Sequence, residues 1–393
     1  MSLLILSASD VDEITSTLSP ESLQLTMANV FHRLSSYSKL DDESKRESGV
    51  HMPPRISIPT ANHTTLFMPA RMGPSTDRVD IRNHQGETAV KVVSVPSRQD
   101  DTRGLPGTTV VLDEETGVVK AVVNARKLTA LRNAAGSLLS TTLVGPPKPR
   151  NIVAFGAGQQ MDAHLDLHIR HFSSSISECT IINRRLNERA TSLQRNLSSK
   201  HPGVVFRLLG SSEESTSLEN SVKDADIIIC ATSSTSPLFP SEWVKAGTHV
   251  ILIGSYKPTM HEVDSNLILR SIKTSGDNRL SSSSRMPALF VDSREACLEE
   301  AGELIQARIK PDEMVEIGEL IPADLSMENG RLTSQANPRL EANENRDSEP
   351  DYEGPITVFK SVGIGLQDVA IASAVVNRAL EMGIGTPIPN YDG

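Results

Sequence analysis

Three cysteines in 393 residues, one tryptophan and a 3% share of aromatic residues are too few for several classes of protein. Cys179, Cys230 and Cys297 lie far apart, so they form neither a disulfide framework nor a metal-ligand spacing, and a reducing compartment is expected. The scarcity of aromatics leaves no platform on which bases stack. Basic charge is short as well. Lys and Arg number 39 against 49 Asp and Glu, a net charge of −10, so no global field draws in nucleic acid or an anionic membrane. No apolar run reaches the roughly 18 residues of a membrane span, and the opening "MSLLILSASD" meets Asp10 too early for a signal peptide. The expectation is a soluble, cytoplasmic protein without nucleic-acid or membrane partners and without a metal site.

What is present is a chain long enough for two domains. Residues 1–50 read as a short strand and two helices, the second starting at Ser19-Pro20-Glu21, with Ser35 to Ser48 as a polar loop. From Arg55 to Val123 the pattern is strands ("TTLFMPA", "ETAVKVVSV", "TTVVLD", "VVKAVV"), with "DEETG" as a hairpin turn in which Gly117 supplies a positive φ. A helix over "KLTALRNAAGSLLSTTL" stops at the prolines of "VGPPKPR". Beyond residue 150, short apolar strands ("NIVAF", "CTII", "VVFRLL", "DIIIC", "HVILIG", "ALFVD") alternate with amphipathic stretches. Strands without a polar face, set between helices, imply a parallel, doubly wound sheet covered on both sides. Residues 322–354 are polar, acidic and aperiodic and read as a disordered insertion; the chain then closes with a strand and a long amphipathic helix.

In "NIVAFGAGQQMDAHLDLHI" an apolar strand runs into Gly156-Ala157-Gly158 and a helix opens at Gln159 and Gln160. A Gly-x-Gly pair alone is a weak signal, since many such pairs are only tight turns. After a buried strand and before a helix, it is what a dinucleotide pyrophosphate needs: Gly158 lets the backbone approach, and the helix N-terminal amides point at the anion. Met161 replaces the third glycine of the usual fingerprint, where helix and strand pack. The next strand ends at Asn183, followed by Arg184 and Arg185 where NAD enzymes usually place an acid. Two guanidinium groups there suit a 2′-phosphate, so NADPH is expected over NADH, with NADH possible.

The blocks "PPRISIP…LFMPA", "KVVSV…GLPGTTVVLDEETG", "KLTALRNAAG", "FGAGQQMDAHL", "INRRLNERA", "DADIIICATSSTSPLF", "HVILIGSYKPTMHEVD", "VDSREACLEEAGEL" and "SVGIGLQDVA" together resemble the ornithine cyclodeaminase/mu-crystallin family, in that family's order. The resemblance implies a Rossmann-type α/β domain with a doubly wound parallel sheet, plus a second α+β substrate and dimerisation domain built from both chain ends. The expected division is 1–145 for substrate and dimerisation, 146–321 for the Rossmann domain, 322–354 for the insertion, and 355–393 for the segment returning to the first domain. A homodimer acting on a small carboxylated imine or amino acid is implied too.

The family's cationic substrate clamp falls on Arg55, Lys91 and Arg132, with Lys91 and Arg132 as the catalytic pair. Three cations from separate segments suit an α-carboxylate: Arg grips it bidentately, and Lys adds a point charge that also moves a proton. Taken singly each has a plain explanation: a lysine snorkelling from a strand, an exposed helix arginine, an arginine at a strand end. Thr232 and Ser233, after "DIIIC", stand at a strand end where such sheets present ligands. Ser361, Val362 and Gly363 resemble the family's segment beside the nicotinamide. Asp368 resembles a recurrent acid of that segment, with a helix cap as the alternative.

The reaction turns on "ILIGSYKPTMHEVD". True ornithine cyclodeaminases carry an aspartate two residues after the first glycine of this block; here Tyr256 follows Gly254 and Ser255. A phenol of pKa ~10 is a poor base at neutral pH. Glu262 and Asp264, further on, are read as helix caps. The resemblance therefore points to the reducing branch, the ketimine and imine reductases, with pyrroline-2-carboxylate or piperideine-2-carboxylate as substrate type. Ornithine cyclodeamination, an amino-acid dehydrogenase or reductive-amination activity of the same fold, and a non-catalytic NADP-binding carrier stand as alternatives.

Overall fold

The computed structural model describes residues 2–74, 86–97, 105–211, 215–272, 288–322, 324–328, 331–334 and 355–391. Their contacts divide the chain into two units. One comprises residues 1–132, 323–331 and 363–393, the other 133–322 and 332–362.

The first unit opens with β1 (Leu3–Leu6), α1 (Ala8–Ser16) and α2 (Pro20–Ser38). Ser7 and Asp10 form a reciprocal capping box at α1, and Ser19 caps α2 with Pro20 in its first turn, as the Ser-Pro-Glu signal implies. The expected loop at 35–48 is in part helical instead: α2 runs on to Ser38, and α3 (Asp42–Glu47) follows, capped by Asp41, whose carboxylate accepts from Ser44 N at 2.8 Å. A local cap is enough to hold one polar turn that has no apolar periodicity to announce it.

Then come β2 (Val50–His51), β3 (Ile56–Pro59), β4 (His63–Met72), β5 (Glu87–Pro96), β6 (Gly107–Leu112) and β7 (Val119–Asn124). β4 to β7 form an antiparallel meander, and β1 joins β7 in parallel. Along β5 every second residue is buried (Ala89, Lys91, Val93), the two-residue period of a sheet with one covered face. Lys91 is the polar member of that buried row.

α4 (Leu128–Val144) follows, and the unit boundary falls within it, between Arg132 and Asn133, not at the prolines near 146. The reason is a polar seam in the second unit. The hydroxyls of Ser137 and Thr141 meet Nε2 of His164 (2.9 Å) and His168 (3.0 Å), and that of Ser140 meets Nε2 of His249 (3.1 Å). His164 and His168 turn Nδ1 to the carbonyls of Gln160 and His164, both at 2.7 Å. A carbonyl only accepts, so Nδ1 carries the proton and both rings are neutral donors–acceptors. Burial pushes His164 down to about 4 and His168 and His249 to about 3.

The second unit continues with β8 (Asn151–Phe155), α5 (Gln159–His171), β9 (Glu178–Asn183), α6 (Glu188–Lys200), β10 (Val205–Gly210), α7 (Ser215–Asp224), β11 (Ile227–Cys230), β12 (His249–Leu252), α8 (Ser265–Ile272), β13 (Leu289–Val291), α9 (Arg294–Glu300), α10 (Gly302–Ala307) and β14 (Val315–Glu316). Two short paired strands, β15 (Ser326–Glu328), which falls in the first unit, and β16 (Arg331–Thr333), precede β17 (Thr357–Lys360). The eight-stranded sheet has the order β10-β9-β8-β11-β12-β17-β13-β14, parallel throughout. All four residues of β11 and of β12 are buried, which is why these strands read as unbroken apolar runs. Each fully buried Ile or Val there contributes roughly 1.5–3 kcal/mol. The α/β architecture expected from the sequence is the one observed.

Two expectations about the chain end are corrected. The reading of 322–354 as one disordered insertion is too broad, since Ser326–Glu328 and Arg331–Thr333 are paired strands and Leu325 and Leu332 are buried; residues 323, 329–330 and 335–354 lie outside the described residues. The segment from 355 does not return at once to the first unit. β17 first inserts between β12 and β13, a long-range pairing without local signature, and only from Gly363 does the chain rejoin the first unit. There α11 (Gly365–Met382) packs on β4, β5 and β6 and on α1 and α2, and β18 (Thr386–Ile388) pairs with β1. No described helix is long and apolar enough to cross a membrane.

Candidate functional site

Within the first unit, β5, α4 and α11 bring charged side chains together in an otherwise apolar setting. Lys91 and Arg132 are each 3% exposed. Between them stands Asp368, from the first turn of α11. Its Oδ2 lies 2.7 Å from Lys91 Nζ, and its Oδ1 accepts from Arg132 Nε at 3.2 Å. Arg132 also donates through Nη1 to Gln367 Oε1 at 2.6 Å. Gly363, with φ of +82°, lies so close that a Cβ would stand 2.5 Å from Arg132 Nη1. That glycine walls the guanidinium.

Burial pushes Lys91 down to about 8, Asp368 pulls it back up, and Arg132 and Arg55 depress it further. Arg55 is half-buried just before β3. Lys91 and Arg132 thus form one buried cluster around Asp368, two cations against one carboxylate. A net positive cluster of this kind is suited to an anion, and a buried lysine near 8 is suited to proton transfer. Asp368 does not cap α11 with its side chain. Both its oxygens serve the cluster, a role the sequence left open.

In the second unit, the strand order reverses between β8 and β11, and the turn after β8 opens at this switch point. Gly156 has φ of +112°, and a Cβ on it would lie 2.8 Å from the carbonyl of Ala231. Gly158 starts α5 with no side-chain cap, and a Cβ there would meet nothing within 4 Å. Open space above uncapped helix amides fits a pyrophosphate. Gln159 is exposed, Gln160 half-buried and Met161 fully buried, so the odd residue of the fingerprint packs inward, away from the turn. Arg184 and Arg185 are exposed after β9; Asn183 turns its amide to the carbonyl of Arg185 (2.7 Å), shaping that corner.

The remaining residues fall at the ends of β11 and β17. Ser233 is exposed. Thr232 is engaged elsewhere, since its N–H and hydroxyl donate to Glu262 Oε1 at 2.6 and 2.8 Å. Ser361 is buried and donates to Asp292 Oδ2 at 2.7 Å, and Val362 is half-buried beside it. Glu262, read from sequence as a helix cap, is instead fully buried and ties Thr232 to Gly254, whose N–H it accepts at 2.7 Å. Burial pushes it up to about 7, with Lys360 pulling down and Glu303 pushing up. Asp264 does cap, accepting from Leu267 N at the start of α8 (2.9 Å).

The chain is similar to known proteins along most of its length. Residues 22–331 match the model of the ornithine cyclodeaminase/mu-crystallin family. The chain is 28% identical over 348 residues to mouse ketimine reductase mu-crystallin, covering 87% of this chain and 88% of that protein. It is 28% identical over 342 residues to a Bacillus cereus Delta(1)-pyrroline-2-carboxylate reductase, with coverage of 86% and 88%. Among solved structures, Thermococcus litoralis Delta(1)-pyrroline-2-carboxylate reductase, in complex with NADH and L-proline, superposes with a TM-score of 0.70 at 22% identity over 98% of this chain and 99% of that one. With its family model matched along most of its length, the chain belongs to the ornithine cyclodeaminase/mu-crystallin family.

Proposed function

We propose that this protein is an NAD(P)H-dependent reductase of cyclic ketimines that bear a carboxylate next to the C=N bond, of the pyrroline-2-carboxylate or piperideine-2-carboxylate type. The observation that carries this reading is the buried cluster of Lys91 and Arg132 around Asp368, with Arg55 within electrostatic reach. Arg132 and Arg55 grip the substrate carboxylate, and the geometry of a guanidinium fork fixes the ring's orientation. Lys91, mostly charged at pH 7 and close to its titration point, donates a proton to the imine nitrogen, which makes the carbon a better hydride acceptor. Bound NAD(P)H supplies the hydride. The C=N bond gains one hydride at carbon and one proton at nitrogen and becomes CH–NH; Lys91 is reprotonated from water.

The turn at Gly156 and Gly158 with the amides of Gln159 and Gln160 would hold the pyrophosphate, and Asn183, Arg184 and Arg185 would receive the adenosine ribose, with NADPH favoured by the two arginines. Thr232, Ser233, Ser361 and Val362 stand at strand ends that would border the nicotinamide half.

Tyr256 favours reduction over ornithine cyclodeamination, because the place of the cyclodeaminase aspartate is held by a phenol. A homodimer is the assembly we propose. Ile56 and Ile58 are 58% and 49% exposed on β3, which pairs on one side only, with β4, among the described residues. Three buried free thiols suit the cytoplasm. The deciding experiment follows NADPH oxidation with the two ketimines and, in parallel, ammonia release from ornithine with NAD. Ketimine turnover alone is expected; proline and ammonia from ornithine would overturn the reading.

A further inference from the structure

The carboxyl edge of the parallel sheet holds buried charges that the reductase reading leaves without a task. Four strands stand there in the order β11, β12, β17, β13, and each neighbouring pair of ends is tied by a buried carboxylate. Between β11 and β12, Glu262 accepts from Thr232 N and Oγ1 on one oxygen and from Gly254 N on the other. Between β12 and β17, the Lys360 ammonium donates to the carbonyl (2.6 Å) and hydroxyl (2.7 Å) oxygens of Ser255 and lies 3.2 Å from Glu303 Oε1. The Ser255 hydroxyl in turn donates to Glu303 Oε2. Between β17 and β13, Asp292 accepts from the Ser361 hydroxyl on Oδ2, and from Ser293 N and the Cys297 thiol on Oδ1.

Glu262, Glu303, Lys360 and Ser255 are fully buried, and Asp292 is 1% exposed. Apolar side chains of equal volume would fill this space without the desolvation that buried charges suffer. They would not hold backbone groups in one geometry. Here the pinned groups are the Thr232 and Gly254 amides and the Ser255 carbonyl, and the fit is close: a Cβ on Gly254 would stand 1.9 Å from the Thr232 carbonyl oxygen. A dinucleotide crosses a doubly wound sheet at the switch point. By that rule the β8 side of the switch point would hold one mononucleotide, and the strand ends beginning with β11 would hold the nicotinamide half.

We propose that Glu262, Lys360, Glu303 and Asp292 are positioning residues for the nicotinamide half of the bound dinucleotide, acting through the strand-end loops they lock together. The proposal rests on the reading that the chain binds NAD(P)H. It separates two duties: the glycine turn and Arg184/Arg185 set affinity, and the buried ties set where the nicotinamide ring stands.

The test uses full-length protein with Lys360→Met, which keeps the volume and removes the charge, and Glu262→Gln, which keeps the shape. NADPH is titrated by fluorescence, and the lifetime and anisotropy of the bound nicotinamide are recorded beside ketimine turnover. In each folded variant the NADPH dissociation constant stays within about threefold of wild type, under 1 kcal/mol, while kcat falls about a hundredfold, the scale of a ring misplaced by about 1 Å. The bound lifetime shortens toward that of free NADPH. A purely structural role would lower the melting temperature and leave lifetime and kcat of the folded fraction unchanged; that result overturns the proposal, as does failure of both variants to fold. Wild-type protein that binds no NADPH overturns this proposal together with the cofactor reading. Wild-type protein that holds NADPH with a lengthened lifetime but reduces no imine overturns the reductase reading alone, and the lifetime comparison then decides the positioning role.

Discussion

Asp368 Oδ2 lies 2.7 Å from Lys91 Nζ, and the same carboxylate accepts from Arg132. One acid therefore favours the charged form of Lys91 and orients the guanidinium beside it. Burial pulls Lys91 down to about 8 and Asp368 holds it up, so removal of that carboxylate lowers it further. In wild type, kcat/KM with a ketimine should fall above a pH near 8, as Lys91 loses its proton in the free enzyme. In Asp368→Asn the falling limb should move down by about one unit or more. A pH profile of both proteins checks this; an unmoved limb would remove Lys91 from the role of acid.

Gly156 and Gly158 stand two residues apart and should respond differently to a methyl group. Gly158→Ala places its Cβ in open space at an ordinary φ of −96°, so the free protein should melt within a few degrees of wild type. Its NADPH affinity should drop about tenfold or more, because the methyl occupies the room for the pyrophosphate. Gly156→Ala meets both a φ of +112° and the Ala231 carbonyl, and should destabilise the free protein by roughly 1–3 kcal/mol. Thermal melts with and without NADPH separate the two.

Arg184→Ala combined with Arg185→Ala should raise the KM for NADPH about tenfold or more and leave that for NADH nearly unchanged, since only NADPH carries a 2′-phosphate, which the proposed site would set against those side chains. Initial rates with both nucleotides are the check.

The histidine seam makes a prediction about acid. His164, His168 and His249 are held neutral, with folded values of about 4, 3 and 3 against an unfolded value near 6.5. Between those limits the unfolded chain binds more protons, so stability is full above about pH 6.5 and is lost as pH falls toward 4 and 3. At pH 5 each ring should cost on the order of 2 kcal/mol relative to pH 7. Urea midpoints at the two pH values measure this. His164→Asn should weaken the dependence; a midpoint that does not fall at pH 5 would mean the rings are not buried neutral.

Periodicity carried much of this fold. The two-residue rhythm of β4 to β7 and the unbroken apolar runs of β8, β11 and β12 are local signals, and so is the glycine turn between a strand and a helix. Lys91 and Arg132 were singled out through family resemblance alone, because a lysine in an apolar strand has several plain explanations; what the structure adds is their shared carboxylate, Asp368. Asp368 was ambiguous for the same reason: an acid in a helix's first turn looks like a cap until its partners on β5 and α4 are in place. The tie between Thr232 and Glu262, and the insertion of β17 between β12 and β13, join residues far apart in the chain. Neither pairing leaves a trace in spacing. The short helix at Asp42 escaped because its single cap is a weaker signal than the polar composition around it.

The most direct measurement of the central claim compares NADPH oxidation with pyrroline-2-carboxylate and with unsubstituted 1-pyrroline, which has the same ring and C=N bond without the carboxylate. The proposed clamp of Arg55, Lys91 and Arg132 predicts kcat/KM higher for the carboxylated imine by about a thousandfold or more, the scale of several charge-assisted hydrogen bonds that the smaller imine cannot form. Equal rates on the two imines, or no reduction of either, would contradict it.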